Sequence, residues 1–146
     1  MPFTPRKLLI IYDDTRKYCR RVAPGLTQAL IDRAFLVDCH SLDSLPADCS
    51  FEDYDGLVLG FPVFGSGRDG GPSQAIQDFV ETLGDLDDYR IALFCVYQVW
   101  GGPSLLRFQA MLEDKGAEVS CNKSYWVFKP DHRAHELPAE IMVRIR

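Results

Sequence analysis

The residues best suited to chemistry form a polar turn that follows the apolar run at 8–11. Residues 12–21 read YDDTRKYCRR, so two carboxylates are followed by a hydroxyl and four basic side chains. A turn between a strand and a helix is a common place for phosphate, because backbone N–H groups at the helix N-terminus point at the anion. Glycine usually lets the backbone approach such a ligand, but this turn has none before Gly25. The turn therefore has the position of a phosphate site and an unusual composition for one.

Two interpretations of this turn stay open. In the first, the turn binds a phosphate, and the neighbouring basic side chains offset the repulsion from Asp14. This offset is required because two like charges about 4 Å apart repel by several kcal/mol at an effective dielectric of about 20. In the second, Asp13 and Asp14 cap the first helix, where carboxylates favour the helix dipole, and the basic residues form a solvated helix face.

Strand-like and helix-like segments alternate along the chain. Continuous apolar runs predict buried strands, and apolar residues spaced by three and four predict helices. The predicted strands are 7–12, 34–38, 56–61, 90–97 and a segment within 117–128 that CNKS interrupts, and the predicted helices are 19–30, 73–83 and 105–115. Pro24 either kinks the first helix or marks a late start, because its ring clashes with the preceding turn. The alternation predicts a parallel sheet covered on both faces.

The carboxyl ends of the first, third and fourth predicted strands are where the unusual residues gather. Open parallel sheets bind ligands at this edge, near the point where the strand order reverses. Three loops lie there, at 13–18, 62–72 and 97–103, and the last two combine aromatic residues with glycines. We therefore expect the functional site at this edge.

Bulk properties limit the classes of function. The 146 residues are 47% hydrophobic and 25% charged, which suits one soluble domain spanning 1–146. We expect its core at about 6–128, and the C-terminal segment at 129–146 is long enough for a short last helix. A net charge of −5 argues against nucleic acid as a partner. Five cysteines spread singly favour a reducing compartment, and we see neither a signal peptide nor an apolar segment that could cross a membrane. We expect a cytoplasmic protein.

Cys19 also has two open interpretations. A helix start and neighbouring basic side chains would lower the pKa of its thiol and make it reactive. Its place in the apolar helical spacing instead favours a small buried residue, which is the usual fate of a free cysteine.

Two longer motifs carry a resemblance to the flavodoxin-like family over roughly residues 6–128. The stretch GFPVFGSGRDGGPSQAIQDFVETL has the family's glycine, proline-aromatic pair, second glycine and later proline before a helix. The stretch RIALFCVYQVWGGPSLLRFQAMLEDKGAEV resembles the family's fourth strand, aromatic-glycine turn and helix that ends in a glycine such as Gly116. The resemblance implies a three-layer α/β sandwich whose five-stranded parallel sheet has the order 2-1-3-4-5. It also implies FMN as the cofactor, held by the loops after strands one, three and four.

The resemblance places the site residues one by one. The family's first loop resembles S/T-x-T-G-x-T, and matching from Tyr12 puts Asp14, Arg16, Lys17 and Cys19 where the hydroxyls and the glycine should be. The implied phosphate contacts, with this atypical anchor, are Asp14, Thr15, Arg16 and Lys17. The implied contacts of the flavin ring are Pro62, Val63, Phe64 and Gly65 in the second loop and Tyr97, Trp100, Gly101 and Gly102 in the third. The aromatic residues could instead pack into the core beside glycines that only make the loops flexible.

Two functions follow from the resemblance. The first is FMN-binding electron transfer to a redox partner protein, with an FMN-dependent oxidoreductase as the form an enzyme would take. The second is a flavodoxin fold that has lost its flavin and acts as a protein-interaction or regulatory module. We predict no residue for covalent catalysis and no metal site. The oligomeric state stays open, with a homodimer as one option.

Overall fold

A computed structural model gives the fold, and it describes residues 6–63, 74–87, 89–97, 103–126 and 128. The strands are β1 (Lys7–Tyr12), β2 (Leu36–Ser41), β3 (Gly56–Val63), β4 (Arg90–Tyr97) and β5 (Glu118–Trp126). The α-helices of the described residues are α1 (Ala23–Ile31), α2 (Gln74–Thr82) and α3 (Ser104–Asp114). All neighbouring strands pair in parallel, in the order β2-β1-β3-β4-β5, which confirms the predicted sheet.

Helices cover both faces of this sheet, as predicted. On one face, α1 packs Leu26 and Leu30 against alternate residues of the strands, including Phe94. On the other face, α2 and α3 pack Val80 and Phe108 against the intervening residues. β3 and the centre of β4 are buried completely, because these strands lie in the middle of the sheet between the two cores.

The first helix starts later than its apolar spacing indicates. α1 begins at Ala23, and two short 3₁₀ turns, Thr15–Lys17 and Cys19–Arg21, precede it. Pro24 occupies the first turn of α1, where its missing N–H costs no intrahelical hydrogen bond. Of the two predicted effects of Pro24, the late start is therefore confirmed.

The predicted interruption of the fifth strand by CNKS at 121–124 is wrong, because β5 runs without a break. Its polar side chains find partners on neighbouring elements. The Asn122 amide donates to Gln109 Oε1 on α3 at 2.9 Å, and the Cys95 thiol donates to Ser124 Oγ at 3.4 Å. The only irregularity in the pairing of β4 with β5 lies one residue earlier, where Ser120 is left over between two paired positions.

β2 is the weakest strand of the described sheet. It forms one edge and was predicted at 34–38, but it starts only after Ala34, whose φ of 69° closes the turn behind α1. None of its residues is buried. The connection to β3 has no α-helix and contains two short 3₁₀ turns, Leu42–Ser44 and Phe51–Asp53. Leu42, Leu45 and Phe51 of this segment pack against the core that α2 and α3 share.

The predicted last helix at 129–146 lies outside the described residues. Within the part of the chain that the structure describes, none of the helices combines the length and the apolar character that a membrane span needs.

Candidate functional site

The ends of three neighbouring strands build the candidate site. β1 and β4 both pair with β3, so the residues that follow β1, β3 and β4 meet at one edge of the sheet. The backbone N–H of Asp13 donates to the carbonyl of Gly60 at 3.0 Å, which ties the turn after β1 to β3. Pro62 and Val63 are buried at the end of β3, and Val63 pairs with the partly exposed Tyr97 at the end of β4.

The remaining ring contacts expected from the sequence are Phe64, Gly65, Trp100, Gly101 and Gly102. They lie outside the described residues, so their roles stay predictions. The other expected contacts are among the residues that the structure describes. It brings the turn after β1, Pro62, Val63 and Tyr97 to the same edge of the sheet.

Asp13 organises the turn after β1. Its side chain is buried, and Oδ1 accepts hydrogen bonds from the backbone N–H of Thr15 at 3.0 Å and from the Thr15 hydroxyl at 2.6 Å. This pattern is an Asx turn, in which an aspartate carboxylate accepts a hydrogen bond from the backbone two residues further on. The expectation that Asp13 and Asp14 cap the first helix is therefore corrected, because α1 starts at Ala23, behind Val22, and Asp14 makes no capping bond.

Asp14 forms an ion pair with Arg20. Asp14 Oδ2 accepts a hydrogen bond from Arg20 Nη2, and the carboxylate is largely covered while the guanidinium is half exposed. The pair spans six residues and two 3₁₀ turns, so a cation that could have faced an anionic ligand is held by a carboxylate instead.

Arg16 and Lys17 give the turn its unusual backbone. Their φ values are 56° and 60°, in the left-handed region that favours glycine, and both side chains are exposed. A left-handed conformation costs a residue other than glycine about 1–2 kcal/mol. The turn therefore takes a conformation like that of a glycine-containing loop without having the glycine.

Two buried carboxylate oxygens test whether a phosphate fits this turn. Asp13 Oδ2 and Asp14 Oδ1 are shielded from solvent, and neither accepts a hydrogen bond within the described residues. Leaving a buried acceptor unsatisfied costs about 1–3 kcal/mol, and more for a charged group. A phosphate dianion would bring further acceptors and a repulsive charge. The phosphate of FMN therefore does not fit the turn as it stands.

Cys19 is a buried core residue, and its interpretation as a reactive thiol is wrong. The side chain is fully buried in the core beneath α1. Burial raises the pKa of the Cys19 thiol well above its usual value, and the nearby Asp13 carboxylate raises it further. A thiol that keeps its proton is a poor nucleophile.

Asp13 and Arg20 were absent from the site residues expected from the sequence. The signal for Asp13 was present, because an aspartate two residues before a threonine often forms this type of turn. Ser104, the first residue of α3, is also buried at this edge, and its hydroxyl makes no hydrogen bond within the described residues. Sequence spacing could not reveal the pairing of Arg20, because it depends on how the two 3₁₀ turns fold.

We expect Thr15→Val to lower the free energy of unfolding by about 1–2 kcal/mol, because it removes the hydroxyl that donates to the buried Asp13 carboxylate. Urea denaturation measures this change. The control is Thr82→Val, which removes an exposed threonine hydroxyl that bonds only the carbonyl of Phe79. Equal losses for both variants would mean that the bond from Thr15 to Asp13 is an ordinary surface interaction.

Flavodoxins are among the solved structures with this fold. The two-electron reduced flavodoxin of Megasphaera elsdenii has a TM-score of 0.75 at 19% sequence identity, over 93% of this chain and 98% of that one. Flavodoxin 2 of Bacillus cereus has a TM-score of 0.74 at 21% identity, over 95% and 97% of the two chains. Flavodoxin 1 of the same organism has a TM-score of 0.72 at 19% identity, over 94% and 97%. The fold is therefore flavodoxin-like, as the sequence resemblance implied.

Neither a protein-family model nor a curated protein sequence matches the chain. At the identities given above, the similarity to the solved structures concerns the fold alone.

Proposed function

We propose that this flavodoxin-like chain binds a flavin at the carboxyl edge of its sheet and passes electrons to a protein partner. The observation that carries the proposal is the meeting of the ends of β1, β3 and β4 at the point where the strand order reverses. Open parallel sheets bind their ligands at such a point. A neighbour with the same fold is named as a two-electron reduced flavodoxin, which supports redox chemistry for this fold.

The proposed ring contacts divide between the loops after β3 and β4. Pro62 and Val63 supply buried apolar surface at the end of β3, and Tyr97 supplies an aromatic ring at the end of β4. The neighbouring contacts proposed from the sequence are Phe64, Gly65, Trp100, Gly101 and Gly102. A bound flavin would supply the electron-carrying chemistry, while the protein orients the ring and limits its access to water. FMN is the flavin implied by the resemblance, although its phosphate lacks a fitting anchor in the turn after β1.

Flavin titration tests this function. The purified full chain is added to riboflavin and, separately, to FMN, and the quenching of flavin fluorescence is followed together with the visible absorbance. We expect saturable quenching of at least one flavin, because a ring enclosed between two loops loses contact with water and meets aromatic side chains. Photoreduction of the bound flavin, followed by its reoxidation with an added acceptor protein, then measures electron transfer. A chain that quenches neither flavin at any concentration tested would contradict the proposal.

The alternative is an interaction module that has the fold without the flavin. It is favoured by Trp126 and Phe128, whose rings make an edge-to-face contact at 5.6 Å and are 42% and 58% exposed at the end of β5. Exposed aromatic surface of this kind is typical of protein contacts. Under this alternative the protein does not quench the fluorescence of either flavin. Sedimentation of the full chain then shows self-association, and Trp126→Ser weakens it.

A further inference from the structure

We propose that the flavin preferred by this chain ends in a hydroxyl and not in a phosphate, so that riboflavin binds more tightly than FMN. This inference rests on the proposed function and names the ligand class of the same site. It follows from the turn after β1, where the buried carboxylate of Asp13 and the largely covered carboxylate of Asp14 each keep one oxygen that accepts no hydrogen bond within the described residues.

The turn presents acceptors that need donors. Asp13 is 4% exposed, and its Oδ1 is satisfied by Thr15 while its Oδ2 accepts no hydrogen bond within the described residues. Asp14 repeats the pattern, since Oδ2 is bonded to Arg20 and Oδ1 is left over. Because buried polar atoms are normally paired, a complementary ligand brings N–H or O–H groups to these oxygens.

Part of the backbone of the turn is already engaged in hydrogen bonds within the chain. The N–H groups already donated to acceptors within the chain are those of Asp13, Thr15, Lys17, Arg21 and Val22. Pro24 in the first turn of α1 has no N–H at all. A phosphate-binding turn relies on backbone N–H groups at the helix N-terminus, so the groups engaged in this way are not offered to an anion.

The basic side chains of the turn do not reverse this preference. Arg20 is held by Asp14, and its side chain is 56% exposed. Arg16 and Lys17 are exposed as well. Charges in contact with water are screened, whereas the carboxylates lie in a buried and less polarisable setting where their field acts more strongly. Because Arg20 offsets the charge of Asp14, the repulsion of a phosphate comes mainly from the buried carboxylate of Asp13.

A polyol tail matches these requirements. The terminal hydroxyl of riboflavin can donate a hydrogen bond to a carboxylate oxygen, and it carries no charge. The same position in FMN carries a phosphate, which at neutral pH presents oxygens and negative charge. The geometry of the turn thus selects between two ligands that share one ring and differ only at the tail.

Titrations of the full chain with three flavins test the inference. The probes are riboflavin, FMN and lumiflavin, which has the ring without the polyol tail, and fluorescence quenching gives each Kd. We expect riboflavin to bind at least about tenfold more tightly than FMN. The terminal hydroxyl of riboflavin donates a hydrogen bond to a carboxylate, whereas the phosphate of FMN makes no such bond. Lumiflavin should bind more weakly than riboflavin, because it leaves both carboxylates without a donor.

An Asp14 variant tests whether the turn causes the preference. Asp14→Asn keeps the shape, removes one charge and introduces an amide donor, so the ratio of the Kd for FMN to the Kd for riboflavin should fall about tenfold. A loss of structure alone would weaken both flavins equally and leave the ratio unchanged. The matched control is Asp114→Asn, the same change at the exposed end of α3, which should not alter the ratio. Circular dichroism confirms that each variant is folded.

The outcomes separate this inference from the proposed function. FMN binding as tightly as riboflavin, or more tightly, overturns the inference and leaves flavin binding intact. A Kd ratio that stays the same in Asp14→Asn also overturns the inference, because the turn would then not discriminate between the hydroxyl of riboflavin and the phosphate of FMN. If none of the three flavins binds, the proposed function fails and the inference fails with it.

Discussion

Replacing Gly60 with alanine is expected to lower the free energy of unfolding by about 3 kcal/mol. Gly60 lies in the fully buried strand β3, opposite Phe94 in the pairing with β4, and a Cβ atom at this position would overlap the ring of Phe94. The ring has little room to move, because it is itself fully buried and packs edge-to-face on Tyr125 at 6.2 Å. Overpacking a tightly filled core typically costs about 1–3 kcal/mol, and the directness of this overlap favours the upper end.

Urea denaturation of Gly60→Ala measures this effect, and the chain offers a matched control. Gly25 lies in α1, is exposed, and has no atom within 4 Å of an added Cβ, so Gly25→Ala should be neutral or stabilising by about 0.5–1 kcal/mol. Combining Gly60→Ala with Phe94→Leu should recover part of the loss, because the smaller side chain vacates the space of the ring. Additive effects of the two substitutions would show that Phe94 is not the obstacle.

Raising the pH from about 9 towards 11 is expected to lower the free energy of unfolding, by about 2 kcal/mol through Cys95 alone. Burial raises the pKa of the Cys95 thiol from 9.0 to about 11, although its hydrogen bond to Ser124 lowers it slightly. In the unfolded chain the thiol ionises first, while the native state still holds the proton. This contribution to stability is therefore complete below the unfolded pKa and is lost as the pH rises through the folded one. Cys19 acts in the same direction, because burial raises its pKa as well.

Urea denaturation at a series of alkaline pH values checks this prediction. Cys95→Ala should be less stable at neutral pH because it leaves a small cavity, but its stability should fall less steeply with pH than that of the native chain. Cys19→Ala should flatten the profile further. A decline of unchanged steepness in the double variant would assign the pH dependence to groups other than these two thiols.

The fold could be predicted well wherever a strand is buried on both faces. The strands Lys7–Tyr12 and Arg90–Tyr97 have the predicted bounds, because a continuous apolar run has no second interpretation at that length. At β5 the sequence predicts a break that is absent, because Asn122 and Ser124 are polar and their partners are not apparent from the sequence. Those partners, Gln109 and Cys95, are distant in the sequence, so no local pattern points to them.

The place of the turn after β1 could also be predicted, whereas the contacts of its side chains could not. The alternation of strands and helices places the turn after β1 at the carboxyl edge. Whether Asp14 faces a ligand or Arg20 depends on two 3₁₀ turns and on residues with a left-handed backbone, which residue types alone do not predict. Asp13 is buried where its backbone N–H bonds the carbonyl of Gly60 on β3, and a contact so far along the chain is visible only in three dimensions.

The unequal burial of the strands has a consequence for hydrogen exchange. β2 has no buried residue, while β3 is buried from end to end, so the amide protons of β2 should exchange through local opening and those of β3 only through global unfolding. Ser41 at the end of β2 pairs with Tyr12, the residue directly before the carboxylate turn. Detachment of β2 would therefore loosen the turn while the pairing of β3 with β4 stays closed, and it would give the tail of the proposed flavin a route in and out.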